Sequence, residues 1–101
     1  ARPLGRARPV TATRILKFRL PTWGPAEIRT GGIARWLAVG WQELHPVVWV
    51  EAIEGDTAVN RVYVALTGEA PPADAEYVGT VQATDAPVHP YVVHVYRRVP
   101  R

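Results

Sequence analysis

Between Val47 and Tyr96 the chain repeats one device: a short run dense in β-branched and aromatic residues, then a cluster of turn formers. The runs are VVWVEAIE, VNRVYVAL, YVGTVQ and YVVHVY, separated by GDTA, a loop around Pro71-Pro72, and ATDAPVHP. Val, Ile, Tyr and Trp suit a pleated, half-buried surface. Turn signals at a spacing of about 8–12 residues are those of an all-β sandwich or barrel. The first two runs are apolar on both faces, with Val47 and Trp49 opposed to Val48 and Val50, and Tyr63 and Ala65 opposed to Val62, Val64 and Leu66. Such strands sit centrally in a sandwich or barrel, or present one face to a partner. They pair most simply as a hairpin around Gly55-Asp56-Thr57. Gly79, inside YVGTVQ, marks a bulge or a close approach of another chain segment.

The first half extends the pattern. RILKFRL alternates strictly, with Leu16, Phe18 and Leu20 on one face and Ile15, Lys17 and Arg19 on the other, as a half-buried strand does. Pro21 to Pro25 form a turn, and AEIRT makes a short strand before Gly31-Gly32. IARWLAVGWQ reads two ways, since Ile33, Leu37 and Trp41 would also line a helix. Gly40 is a poor helix interior, Gly31-Gly32 is a hairpin-type signal and no N-cap residue precedes the run, so a strand is expected. That strand places Ile33, Arg35, Leu37, Val39 and Trp41 on one face, with Ala34, Trp36, Ala38 and Gly40 on the other. Glu43-Leu44-His45-Pro46 turns the chain, and TGEAPPADAE is a surface loop. The expected fold is a single all-β antiparallel sandwich or small barrel of about six or seven strands over residues 14–98.

Charge divides the chain differently. Net charge is +3, but residues 1–19 hold Arg2, Arg6, Arg8, Arg14, Lys17 and Arg19 and no acid. Residues 97–101 add Arg97, Arg98 and Arg101, while the body between holds all nine acids against Arg29, Arg35 and Arg61. Residues 1–13 have no hydrophobic period, and Pro3, Gly5 and Pro9 break any helix, so an extended basic arm is expected there. Residues 99–101 form a basic tail. Asymmetry of this kind points to an interaction tail, with Arg2, Arg6, Arg8 and Arg14 as the partner-binding residues. The acidic body would repel a phosphate backbone, so an acidic protein patch suits the arm better than nucleic acid.

Composition narrows the chemistry. There is no cysteine, hence no disulfide and no thiolate metal site. Serine is also absent and Lys17 is the one lysine, which leaves few nucleophiles and no expected catalytic residue. Glu51 and Glu54 lie three apart on a strand and face opposite ways, so they cannot share a substrate. Among His45, His89 and His94, no spacing matches a metal site, and His94 in an apolar strand reads as a hydrogen-bonded structural residue. No phosphate-binding loop, cofactor site or membrane-length apolar run is expected. A nucleic-acid platform would need Trp23, Trp36, Trp41 and Tyr63 together on one exposed face with Arg35 or Arg61. Eleven Arg against one Lys, with many Ala, Val, Pro and Gly, is the bias of a GC-rich genome, and a start at Ala1 reads as a chain trimmed of its initiator Met.

Five stretches then appear in a telling order: Lys17-Phe18-Arg19-Leu20-Pro21, Val48-Trp49-Val50-Glu51, Thr67-Gly68 with Pro71, Tyr77-Val78-Gly79-Thr80, and Val93-His94-Val95-Tyr96. They resemble a family of small tailed-bacteriophage proteins, of the actinobacteriophage type, whose pattern runs KFEL-P, LWALVD, GTG-x-P-x-P, Y-x-GT and F-V-W-H-V-F. The resemblance spans roughly residues 15–97 and leaves the arm outside. It departs at Ala65-Leu66, where the family tends to have Gly, and at Val93, where it tends to have Trp. The family is of unknown function, so the resemblance implies a phage origin and hands over no active site. The resulting expectation is a non-enzymatic protein that acts by protein–protein contact, such as a minor capsid or decoration protein in the virion. It would be oligomeric or part of a larger assembly, touching copies of itself or a major capsid protein. The alternatives are a nucleic-acid-binding accessory protein, or an inhibitor of a host protein, in the cytoplasm of the infected host.

Overall fold

A computed structural model describes residues 12–55, 57–83 and 91–99 of the chain. Seven antiparallel strands form two sheets, with no helix among the described residues. They are β1 (Thr13–Arg19), β2 (Gly24–Thr30), β3 (Ile33–Gln42), β4 (His45–Ile53), β5 (Ala58–Leu66), β6 (Ala75–Gln82) and β7 (Val92–Arg98). One sheet has the order β1-β4-β3 and the other β2-β5-β7-β6. The all-β sandwich expected from the run-and-turn pattern is therefore present. Residues 33–42 are strand, and Thr13, expected in the arm, is already the first residue of β1.

The core lies between the sheets. Val48, Val50 and Ala52 of β4 face Ile28, Val62, Val64, Val81, Val93 and Val95 of the second sheet, with Leu20 between them. Leu16 and Phe18 pack on this cluster from β1, as their alternation requires. Burying side chains of this size contributes about 1.5–3 kcal/mol each relative to exposure.

The expected β4–β5 hairpin does not form. β4 is the centre of the three-stranded sheet and β5 lies in the other, so the chain crosses between layers after Ile53. Both runs are apolar on both faces, a property of central strands that does not say which sheet each is central to. On the outward face of β4, Val47 is only 3% exposed. Lys17, whose Nζ donates to Gln42 Oε1 at 2.7 Å, reaches from β1 to β3 over that face, and Trp49 lies against Gly40.

Gly31-Gly32 likewise belongs to a crossing from β2 to β3 rather than to a hairpin. The Gly32 carbonyl accepts the Ile53 N–H at 2.8 Å, and Asn60 Nδ2 donates to the Gly31 carbonyl at 3.3 Å. The expected loop 67–76 ends earlier than its composition suggests, because Ala75 and Glu76 pair with Arg98 and Arg97.

β3 corrects a second expectation. Its register against β4 shifts between Ile33 and Arg35 and again between Trp36 and Ala38. Each bulge adds one residue and reverses the alternation. Ile33, Trp36, Val39 and Trp41 all reach the core, and Leu37 is left exposed. The β3–β4 connection is a two-residue turn, Glu43-Leu44, with φ of 50° and 68°. Two positive φ values match the twist of the flanking strands, as in type I′ hairpins.

Candidate interaction surface

Two-residue alternation gives each sheet an outward face, and that of the four-stranded sheet carries most of the organised polar groups. Pairing sets Tyr63 beside Tyr96, Tyr96 beside Tyr77, and Ala65 and Thr80 on either side of His94. Tyr77 and Tyr96 meet edge-to-face with ring centroids 5.8 Å apart. Aromatic pairs in this arrangement contribute about 0.5–1.5 kcal/mol beyond burial.

Glu69 organises one end of this face. The turn Leu66-Thr67-Gly68-Glu69 closes through Glu69 N–H donating to the Leu66 carbonyl at 3.0 Å, with Gly68 at φ 94°. Glycine at the third position supplies the positive φ that a type II turn demands. The turn folds the Glu69 side chain back over β5, where Oε2 accepts the Tyr63 hydroxyl at 2.5 Å. Oε1 accepts both Trp23 Nε1–H and the Leu66 N–H, each at 3.0 Å. Three donors favour the ionised carboxylate, so the Tyr63 bond first, then that of Leu66, holds Glu69 below the ordinary glutamate range. The same contact pushes the Tyr63 hydroxyl above the usual tyrosine value, because its proton is shared with an anion.

A second chain of polar groups crosses the face. His94 Nε2 lies 2.8 Å from Thr67 Oγ1, Nδ1 lies 3.0 Å from Thr80 Oγ1, and Thr80 Oγ1 lies 2.5 Å from the Tyr77 hydroxyl. A threonine hydroxyl either donates or accepts, so both ring nitrogens are satisfied in either tautomer. A hydroxyl beside an imidazole invites a nucleophile–base reading. The third member here is a neutral threonine, however, and not the carboxylate that would stabilise a charged imidazolium.

The remaining sequence candidates are dispersed. Arg14 lies on β1 and pairs with Glu54 at 3.3 Å, while Arg2, Arg6 and Arg8 lie outside the described residues, as does His89. Glu51 accepts Thr13 Oγ1 at 2.6 Å and Arg35 Nε at 2.8 Å, and these bonds, that of Thr13 first, lower its pKa. Glu51 and Glu54 thus serve separate partners on the first sheet. Of the proposed nucleic-acid platform, Trp23 and Tyr63 share the Glu69 carboxylate, whereas Trp36 and Trp41 pack inward on the core. No group of three or more His, Cys, Asp or Glu among the described residues could hold a metal ion. A cleft of about 420 Å³ opens where Trp36, Asn60, Arg61, Arg97 and Arg98 meet. Its arginines are engaged: Arg98 with Asp74 at 2.6 Å, Arg97 with Glu76 at 2.5 Å and Arg61 with Glu27 at 3.8 Å.

Glu69 was not a sequence candidate. The Thr67-Gly68 turn was visible, but the meeting of Trp23, Tyr63 and Glu69 depends on contacts 46 and 6 residues apart in sequence. No curated protein and no solved structure matches the chain. A family model does match, over residues 11–101, and the chain belongs to that family, described as Domain of unknown function (DUF7352).

Proposed function

We propose that this chain is a non-enzymatic phage protein that works by protein–protein contact, as an assembly component such as a minor capsid or decoration protein. The observation that carries the reading is the outward face of the four-stranded sheet. There Tyr63, Tyr77 and Tyr96 are held in place by Glu69, Thr80 and each other. Tyr77 is 60% exposed and Trp23 55%. Tyrosine and tryptophan are enriched where proteins meet, since they bring large contact area with few rotors to freeze. The phage setting is supported by the ordered motifs from Lys17-Phe18 to Val95-Tyr96, and the charge of Arg2, Arg6 and Arg8 supports an acidic protein partner.

Mass spectrometry of purified particles tests this reading. The chain is expected in the particles at a fixed copy number, and the Tyr77→Ala, Tyr96→Ala double variant is expected to drop out while still folding. Absence of the natural chain from particles overturns the assembly role. The basic arm favours a second reading, a nucleic-acid-binding accessory protein. Deleting residues 1–11, which leaves β1 whole, separates the two. Loss of tight, salt-sensitive binding to mixed-sequence DNA and RNA, with assembly intact, marks the arm as a nucleic-acid tail.

A further inference from the structure

Among the described residues, two sheets that do not close leave four edge strands: β1 and β3 in one, β2 and β6 in the other. An open edge is a template for another strand, and proteins blunt it with bulges, prolines or charge. β3 is interrupted by two register shifts and β6 by one at Tyr77–Gly79. Those two edges also close on each other, because Gly79 lies directly against Val39. β2 carries Pro25 and the opposed charges of Glu27 and Arg29. β1 has no bulge and no proline, its seven residues pair with β4 in unbroken register, and its cations Arg14, Lys17 and Arg19 are the one feature that guards it.

The hydrogen bonding identifies what β1 leaves open. Leu20 N–H donates to the Pro46 carbonyl at 2.8 Å, and Glu54 N–H donates to the Ala12 carbonyl at 2.9 Å. In an antiparallel ladder hydrogen-bonded residues alternate, so the even-numbered residues of β1 point their backbone groups at β4. Thr13, Ile15, Lys17 and Arg19 therefore aim theirs at the free edge. Their side chains lie on the outward face, where Ile15 is 68% exposed. Lys17 bonds the neutral amide of Gln42, and no carboxylate among the described residues pairs with Lys17 or Arg19. The inward neighbours Leu16 and Phe18 are only half-buried, and a groove of about 330 Å³ runs beside Arg14 and Leu16 toward Thr30 and Gly31.

We propose that the β1 edge receives an extended acidic segment of a partner protein, which joins the three-stranded sheet as a fourth strand. Carboxylates on its outward face meet Arg19 and draw the Lys17 ammonium back from Gln42 across the face of β4, and apolar residues on its inward face cover Leu16 and Phe18. A second copy of β1 does not suit this place, because that strand brings three further cations and no carboxylate to meet Lys17 and Arg19. Strand addition draws affinity from main-chain hydrogen bonds and selectivity from alternate side chains, which is the information this edge displays. The proposal rests on the protein-contact reading but uses the sheet opposite the tyrosine face, so either surface can fail its test while the other stands.

The experiment follows backbone amides by NMR on the natural chain, with an acetylated, amidated peptide of alternating Glu and Val as the probe. Slowed hydrogen exchange is expected at Thr13, Ile15, Lys17 and Arg19 and not at the even residues of β1. The matching Lys–Val peptide should leave them unprotected. The Lys17→Glu, Arg19→Glu variant should weaken binding about tenfold or more, the loss of two exposed ion pairs together with new repulsion. Lys17→Pro removes one edge donor while leaving the β4 ladder intact, and should abolish protection with the fold preserved. Equal binding of both peptides, no protection of the odd amides, or protection from a single-stranded oligonucleotide but not the acidic peptide overturns the proposal.

Discussion

A Cβ placed on Gly79 would lie 2.6 Å from Cγ2 of Val39. The two residues belong to different sheets, so this contact sets how closely β3 and β6 approach on the closed side of the sandwich. The clash is with a β-branched side chain, stiff at χ1 and set against the core. Gly79→Ala should cost about 1–3 kcal/mol through overpacking, read as a lower urea midpoint with an unchanged slope. A neutral result would mean that the sheets separate freely at this edge.

The Glu43-Leu44 turn carries a correctable strain. Both residues hold positive φ, and neither is of the Gly, Asn or Asp type that tolerates it. Leu44 is 50% exposed, so little packing is lost on replacing it. Glu43→Asn with Leu44→Gly should stabilise the protein by about 1 kcal/mol, the strain relieved at left-handed positions. Thermal unfolding measures it, and a lowered melting temperature would mean that the turn residues are held by something other than hairpin geometry.

The two bulges of β3 make an unusual ordering of neighbours. Leu37, the larger side chain, is exposed, while Val39 packs on the core. Leu37→Ala should change stability by no more than about 0.5 kcal/mol, whereas Val39→Ala should cost about 1–2 kcal/mol. Strict alternation would make both substitutions costly, so denaturation of this pair tests the register shifts directly.

Glu69 links stability to pH. Its folded pKa lies below the ordinary value of 4.5, so the unfolded chain takes up the proton first as pH falls. The stabilisation is complete above 4.5 and is lost as pH drops through the lower folded value. Glu51, lowered by Thr13 and then Arg35, acts in the same direction. Urea midpoints followed from neutral pH to about pH 3 should fall less steeply in Glu69→Gln than in the natural chain. An unchanged acid limb would mean that the Tyr63–Glu69 contact is absent in solution.

How much of this was legible from the chain alone follows the range of each interaction. Alternation of Leu16, Phe18 and Leu20 named the inward face of β1 because strand period is a local property that the two sheets merely use. Gly79 was marked in advance because a glycine inside a Val- and Tyr-rich run is costly unless backbone approach requires it, and Val39 is what approaches. Strand identity at 33–42 was readable from Gly40 and the missing N-cap.

What tertiary structure decided is pairing. β4 and β5 carry the same doubly apolar pattern, and only the competition among all strands for partners put them in different sheets. The bulges at Ala34 and Leu37 turn Trp36 inward and Leu37 outward with no composition signal, because any residue can be the extra one in a ladder. Glu69 became the anchor of Trp23 and Tyr63 only when the turn at Gly68 folded it back over β5, where it also meets Trp23 from 46 residues away in sequence. The patterns that one strand imposes on itself are written in its residues. The choice of neighbour is a difference between whole-molecule packings, and it exists only once the sheets have formed.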